Sequence, residues 1–154
     1  MAYIVIRVVG TVSVPRDIKE TMRLMGLNRV NHAVIVPETD SYKGMLYKIK
    51  DFCTFGKADA ETIAALLRER GMIAGDVALT DDYVKEKTEF ATIDDLAKAV
   101  AADEYKLKDV EGLKPVIRLH PPIGGYEGNK RSVQNGGALG DRKEKINDLV
   151  KRML

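Results

Sequence analysis

The side chains best suited to ligate a metal or to act as nucleophile and base are few here: two histidines, His32 and His120, and one cysteine, Cys53. They are scattered along the chain with no close-spaced pair, so no metal site and no cofactor is expected. Cys53 sits in the apolar run Phe52-Cys53-Thr54-Phe55, where a buried thiol is the natural outcome. Ser13, Ser41 and Ser132 lack the glycine-flanked elbow of an esterase. Gly124-Gly125-Tyr126-Glu127-Gly128 follows two prolines and does not open a helix, so it matches neither the phosphate-binding loop nor the dinucleotide fingerprint. The carboxylate pairs Asp81-Asp82 and Asp94-Asp95 fall where helices should begin and read as helix-start charges. Nothing in the sequence makes a case for catalysis, and no enzyme is expected.

A different chemistry is carried by Val116 to Asp148. A short apolar run with Arg118 is stopped after His120 by Pro121-Pro122, because proline removes backbone donors and fixes φ. Gly124, Gly125, Gly128, Gly136, Gly137 and Gly140 follow, interleaved with Lys130, Arg131 and the amides Asn129, Gln134 and Asn135; Arg142 and Lys143 come next. Glycine allows close backbone approach and the cations displace counterions, so this composition suits a phosphate-lined surface. Pro122 to Gly140 has few apolar residues with which to offset the cost of ordering its backbone, and is expected to be mobile in the free protein. Composition alone fits an ordinary surface loop equally well.

The elements that must position these residues follow from apolar spacing. Tyr3 to Val9 is a strand with Ile4, Ile6 and Val8 on a core face; its other face, which includes Arg7, is expected to be partly exposed. Pro15 starts a helix with Ile18, Met22 and Met25 inward and Gly26 at its end. His32 to Val36 is a second strand. Asp40 or Ser41 caps a helix with Tyr42, Met45, Leu46 and Ile49 inward, and Phe52 to Phe55 is a third strand. The first part is thus βαβαβ: an α+β, two-layer core like half of a ferredoxin-like fold, with a small, mostly antiparallel sheet, helices on one face and the other face left for a partner. Asp59 opens a helix with Ile63, Leu66 and Leu67 inward; Thr80 to Glu86 forms a short turn; Thr92 opens a helix with Ile93, Leu96 and Val100 inward. These stripes require a surface, so the insertion should dock on the core. Val116 to Leu119 is expected as an edge strand, and a last helix carries Ile146, Leu149, Val150 and Met153 inward.

With 154 residues the chain fits one domain with three regions: a βαβαβ core over 1–57, an acidic helical insertion over 58–115, and edge strand, glycine segment and terminal helix over 116–154. The net charge of +2 conceals a division. Residues 1–57 hold nine Lys/Arg against five Asp/Glu, residues 58–112 seven against fourteen, and residues 113–154 nine against four. A polyanion would meet the two basic ends and not the middle. No signal peptide or membrane span is legible, so the reading is a soluble, cytoplasmic protein.

The residues of the glycine segment, in their order, resemble a known family. Arg118-Leu119-His120-Pro121-Pro122, Gly124-Gly125, Gly136-Gly137, Leu139-Gly140 and Glu144-Lys145-Ile146-Asn147 resemble the C-terminal extension of the archaeal and eukaryotic members of the L-thirty family of large-subunit ribosomal proteins, called L-seven in eukaryotes. Residues 3–57 resemble the core shared with the short bacterial members, through Arg7, Leu24-Met25-Gly26-Leu27, Arg29, Asn31-His32, Glu38-Thr39-Asp40 and Gly44-Met45 before Lys48. Ile123 departs from the pattern, standing where the family leads one to expect a basic residue. The resemblance implies a structural protein, monomeric within the ribosome, that binds large-subunit ribosomal RNA and stabilises adjacent RNA domains near the 5S rRNA, with neighbouring ribosomal proteins as further partners. Under that reading a patch of Arg7, Arg16, Arg29, Asn31, His32, Lys43 and Lys48 acts with the glycine segment, and His120 or Tyr126 stacks on an unpaired base. A small-molecule regulatory module is the alternative, because such cores host unrelated functions.

Overall fold

Apolar residues on both sides of the first strand, Ile4 and Ile6 on one and Val5 on the other, require that strand to be covered twice. The computed structural model, which describes residues 1–154, supplies both covers. The first part of the chain is β1 (Tyr3–Arg7), α1 (Arg16–Leu24), β2 (His32–Val36), α2 (Asp40–Ile49) and β3 (Cys53–Lys57). The insertion adds α3 (Ala60–Arg70), a small hairpin of β4 (Met72–Ile73) and β5 (Val77–Ala78), α4 (Asp81–Lys87) and α5 (Ile93–Ala101). The chain ends with β6 (Val116–Arg118), β7 (Gly128–Ser132), β8 (Gly137–Asp141) and α6 (Ile146–Met153). The main sheet runs in the order β6-β2-β1-β3-β8-β7 and is antiparallel except at β3–β8 and β8–β7. The mixed α/β, mostly antiparallel architecture is the one the sequence predicts, with α1 and α2 on one face of the βαβαβ core.

On the α1/α2 side, Val5, Val34, Val36 and Cys53 from the strands meet Met22, Met25, Leu46 and Ile49 from the helices. The opposite face is not left for a partner. There Ile4 and Ile6 share a core with Ile63, Leu66 and Leu67 of α3, Leu96 and Val100 of α5, and Ile146, Leu149, Val150 and Met153 of α6. The insertion and the last helix have apolar stripes of their own, and the open face of the sheet is the surface that buries them.

Helix starts follow their local chemistry. Thr39, Thr80 and Thr92 each accept a hydrogen bond from the third residue onward, capping α2, α4 and α5. Asp81 and Asp82 lie in the first turn of α4, and Asp94 and Asp95 in that of α5. The short turn expected at 80–86 is a seven-residue helix. The third strand runs on through Gly56 to Lys57, because glycine alone fits there: an added Cβ would overlap the Lys143 carbonyl and lie 2.8 Å from Ile146 Cβ.

The glycine segment departs furthest from expectation. Pro122 to Gly140 contains β7 and most of β8, and β8 hydrogen-bonds to β3 with Thr54 opposite Gly140 and Phe55 opposite Asp141. Ala138 and Leu139 pack on Val8. The segment is held by the body of the protein because its few apolar residues are concentrated beside an open sheet edge.

Candidate nucleic-acid interface

Strand directions bring the ends of β1 and β6 and the starts of β2, β3, β7 and β8 to one end of the sheet. His32 lies opposite Arg118 in the β2–β6 register, and Arg29 and His120 flank them, so two arginines and two histidines gather at this end. Arg29, Arg118 and His120 are exposed and His32 is half-buried. Burial, and then the positive charges of Arg118, Arg29 and Arg7, hold the His32 imidazole below its ordinary value.

Asn31 serves as a clasp and not as an open contact. Its backbone takes a positive φ of 65°, its N–H donates to Arg7 O at 2.8 Å, and its carbonyl accepts from Leu119 N at 3.1 Å. Its side-chain Oδ1 accepts from the Tyr126 hydroxyl at 2.6 Å. Tyr126 is therefore fixed against the body, its phenol pushed up to about 12 by burial, and it is not free to stack on a base. His120 N donates to Met153 O, which ties the start of the segment to α6 while leaving the imidazole exposed. Pro122 is buried, whereas Pro121 is exposed; Gly124 and Gly125, at φ 81° and 76°, form an exposed turn that Arg152 Nη1 approaches at Ile123 O and Gly125 O.

Beyond that turn, Gly128 pairs with Gly137 and Ser132 with Leu139, so four steps along β7 oppose two along β8. The surplus bulges outward and carries Lys130 and Arg131 into solvent, as bulges commonly re-aim side chains. Gly136 is exposed, but Gly137 is buried, and a Cβ there would overlap the Arg131 carbonyl. Gly137 is needed for close backbone approach within the protein, not toward a ligand.

Two cations expected at the surface are interior. Arg7 is 2 % exposed and donates through Nη1 to Leu27 O at 2.8 Å and through Nε to Val9 O at 2.9 Å; burial lowers its pKa. α1 and α2 cover the face it occupies, which its place in an alternating strand could not disclose. Arg142 is 8 % exposed, donating through Nε to Thr54 Oγ1 at 3.0 Å and through Nη2 to Glu127 Oε2 at 2.6 Å. The Arg142 guanidinium in turn holds the Glu127 carboxyl below the usual range. Arg142 fastens the glycine segment to β3.

The patch drawn from the first region does not form as one surface. Arg16 is exposed beside Asp17, whose carboxylate lies 3.7 Å from Lys48 Nζ on α2. Lys43 sits near the opposite end of the sheet, 3.3 Å from Glu38; Lys143, exposed with φ 52°, lies past β8. Sequence reading passed over Arg152, which reaches 3.5 Å from Glu127, and the exposed Tyr47. Tyr47 falls off the apolar stripe of α2, the signal that could have found it.

No group of three or more His, Cys, Asp or Glu is arranged to hold a metal ion, and burial pushes the Cys53 thiol up to about 12, far from a reactive thiolate. What the sheet end can do is neutralise phosphates and exclude their counterions over a preformed surface. The α/β scaffold thus presents cations from strand ends and from a bulged edge.

Comparison with known proteins supplies the family. Residues 3–53 match the family model described as ribosomal protein L30p/L7e. The chain is 49 % identical over 152 residues to the large ribosomal subunit protein uL30 of Methanobrevibacter smithii, covering 99 % of each chain. It is 48 % identical to that of Methanocorpusculum labreanum, over 98 % of this chain and 99 % of that one. The Methanococcus maripaludis protein is 48 % identical with both chains fully covered. The chain belongs to the L30p/L7e family, and is accordingly a structural, non-enzymatic protein of the large ribosomal subunit, working with the ribosomes of the cytoplasm.

Proposed function

We propose that the protein binds ribosomal RNA through the sheet end bearing Arg29, His32, Arg118 and His120, extended by Lys130 and Arg131 on the bulged β7, and so stabilises adjacent RNA domains near the 5S rRNA as one copy among neighbouring ribosomal proteins. The observation that carries the reading is the β2–β6 register, which sets His32 against Arg118 from residues far apart in sequence. Three guanidiniums near one imidazole, that of Arg7 buried and those of Arg29 and Arg118 exposed, favour an anion, since they discourage the imidazole from charging unless a phosphate is present. Binding relies on phosphate, 2′-hydroxyl and shape, which a rigid cationic end suits better than a mobile loop. The test is co-sedimentation. The intact protein should travel with large subunits through a moderate-salt wash, and the Arg29→Ala/Arg118→Ala double variant should be released at lower salt. Wild-type protein remaining free of subunits would overturn the reading, and so would a double variant retained as well as wild type. A ligand-sensing module would behave in the first way.

A further inference from the structure

We propose a second RNA site toward the other end of the sheet, where β7 finishes: a trench between α2 and the β3–β8 part of the sheet that takes a single-stranded RNA segment and stacks one unpaired base on Tyr47. The inference rests on the ribosomal-RNA reading above and extends it to a separate surface.

The trench exists because α1 and α2 cover β1, β2 and β3, while β8 and β7 carry the sheet beyond them. One part is a cavity of about 600 Å³ between Tyr3, Leu46, Tyr47 and Phe55 on one side and Val133, Leu139 and Gly140 on the other. A second, of about 590 Å³, lies among Lys57, Lys143 and Lys145. Tyr3 and Asp141 line both, so the two adjoin.

Its contents fit a nucleic-acid strand in three respects. Tyr47 is 71 % exposed although it is a large aromatic on a helix whose apolar stripe is otherwise covered, and Lys50 Nζ lies 4.3 Å from its ring centroid. A ring open on one face beside a cation is a ready platform for a base. Tyr3 and Phe55 meet edge to face with centroids 6.4 Å apart and form an apolar wall beyond it.

Charge is the third respect. Lys50, Lys57, Lys143 and Lys145 border the trench, and none is in an ion pair. Asp51, Asp141 and Glu144 also line it, and Asp141 Oδ1 already accepts from Lys143 N at 2.8 Å. Four unpaired lysines exceed three carboxylates, with Lys43 held by Glu38, so the small positive surplus suits an anionic strand, and the open Tyr47 ring favours one that carries bases over an acidic peptide. An apolar peptide would leave the lysines unsatisfied. A duplex would bury its bases away from Tyr47, whereas a single strand offers both phosphates and a π-face.

The experiment titrates full-length protein with a fluorescein-labelled, mixed-sequence ten-nucleotide single-stranded RNA, and in parallel measures lysine acetylation in free protein and in assembled large subunits. Tyr47→Ala should weaken oligonucleotide binding by about 5- to 150-fold. Lys143→Ala/Lys145→Ala should reduce the slope of log affinity against log salt by about 1.4, that is about 0.7 for each contact on a single strand. Both substitutions are at exposed positions, so thermal melting should match wild type. In subunits, Lys50, Lys143 and Lys145 should be protected from acetylation. Wild-type oligonucleotide binding by both variants would overturn the site; if the lysines were nonetheless protected in subunits, the trench would hold a protein segment. Failure here, with Arg29→Ala/Arg118→Ala still releasing the protein from subunits, would remove the trench alone. Loss of all subunit association would remove the reading on which it rests.

Discussion

Arg142→Ala separates a structural from an RNA-contacting role for one cation. The guanidinium makes hydrogen bonds to Thr54 Oγ1 at 3.0 Å and to Glu127 Oε2 at 2.6 Å, and Thr54 Oγ1 itself donates to Gly140 O at 3.2 Å. Hydrogen bonds involving a charged group contribute about 1.5–3 kcal/mol each when the partner stays buried. Thr54 is fully buried and would lose its donor, so that bond counts in full. The Glu127 side chain is 44 % exposed and can return to water, so the ion pair is discounted to the surface range of about 0–1 kcal/mol. The sum is a loss of about 1.5–4 kcal/mol, which should lower the urea midpoint by roughly 0.5–2 M for a slope near 2–3 kcal/mol per M. Urea denaturation followed by circular dichroism measures it. β8 should also detach more readily, so trypsin should reach Lys130 and Arg131 faster. If the variant is as stable as wild type while the salt dependence of RNA binding falls by about 0.7–0.9, Arg142 is a phosphate contact and the interior assignment is wrong.

Ile49→Ala should cost about 2–5 kcal/mol by urea denaturation because the side chain is completely buried between α2 and the sheet, whereas Lys48→Ala, exposed beside Asp17, should stay within about 0.5 kcal/mol. A large loss for Lys48→Ala would reverse the orientation of α2. Gly137→Ala forces a Cβ into the Arg131 carbonyl and should destabilise by about 1–3 kcal/mol, with faster cleavage of β7 by trypsin; an unchanged melting curve would show that β7 does not pair where described. His32 has a folded pKa below the ordinary 6.5, so the unfolded chain takes up its proton first as pH falls. Stability should therefore decline from about pH 6.5 downward until the folded value is reached, and thermal melts of His32→Gln should lack that component of the decline. In free protein trypsin should still cut first at Lys130 or Arg131, where β7 bulges, leaving associated fragments, and both sites should resist on the large subunit; equal rates in the two states would place β7 away from any partner.

Periodicity was enough to determine the elements of the first 57 residues and the inward stripes of α3, α5 and α6, because those patterns depend only on local geometry and on water's exclusion from apolar side chains. The order of residues from Arg118 to Asn147 was likewise enough to mark the family. Which cations reach solvent was decided only by tertiary structure. Arg7 and Arg142 look in sequence like Arg29 and Arg118; they differ because α1 and α2 cover the first, and Thr54 of β3 together with Glu127 captures the second. The fate of the glycine segment was also decided at that level. Counted alone, Ala138, Leu139 and Tyr126 cannot offset the ordering of so many glycines, but next to the free edge of β3 they gain a strand's hydrogen bonds and a surface on Val8 and Asn31. Likewise the register of β2 with β6, set by the pleat and by Ile117 entering the core, places Arg118 beside His32. Pairing between distant segments depends on the energy of the whole sheet, and no local window of sequence contains it.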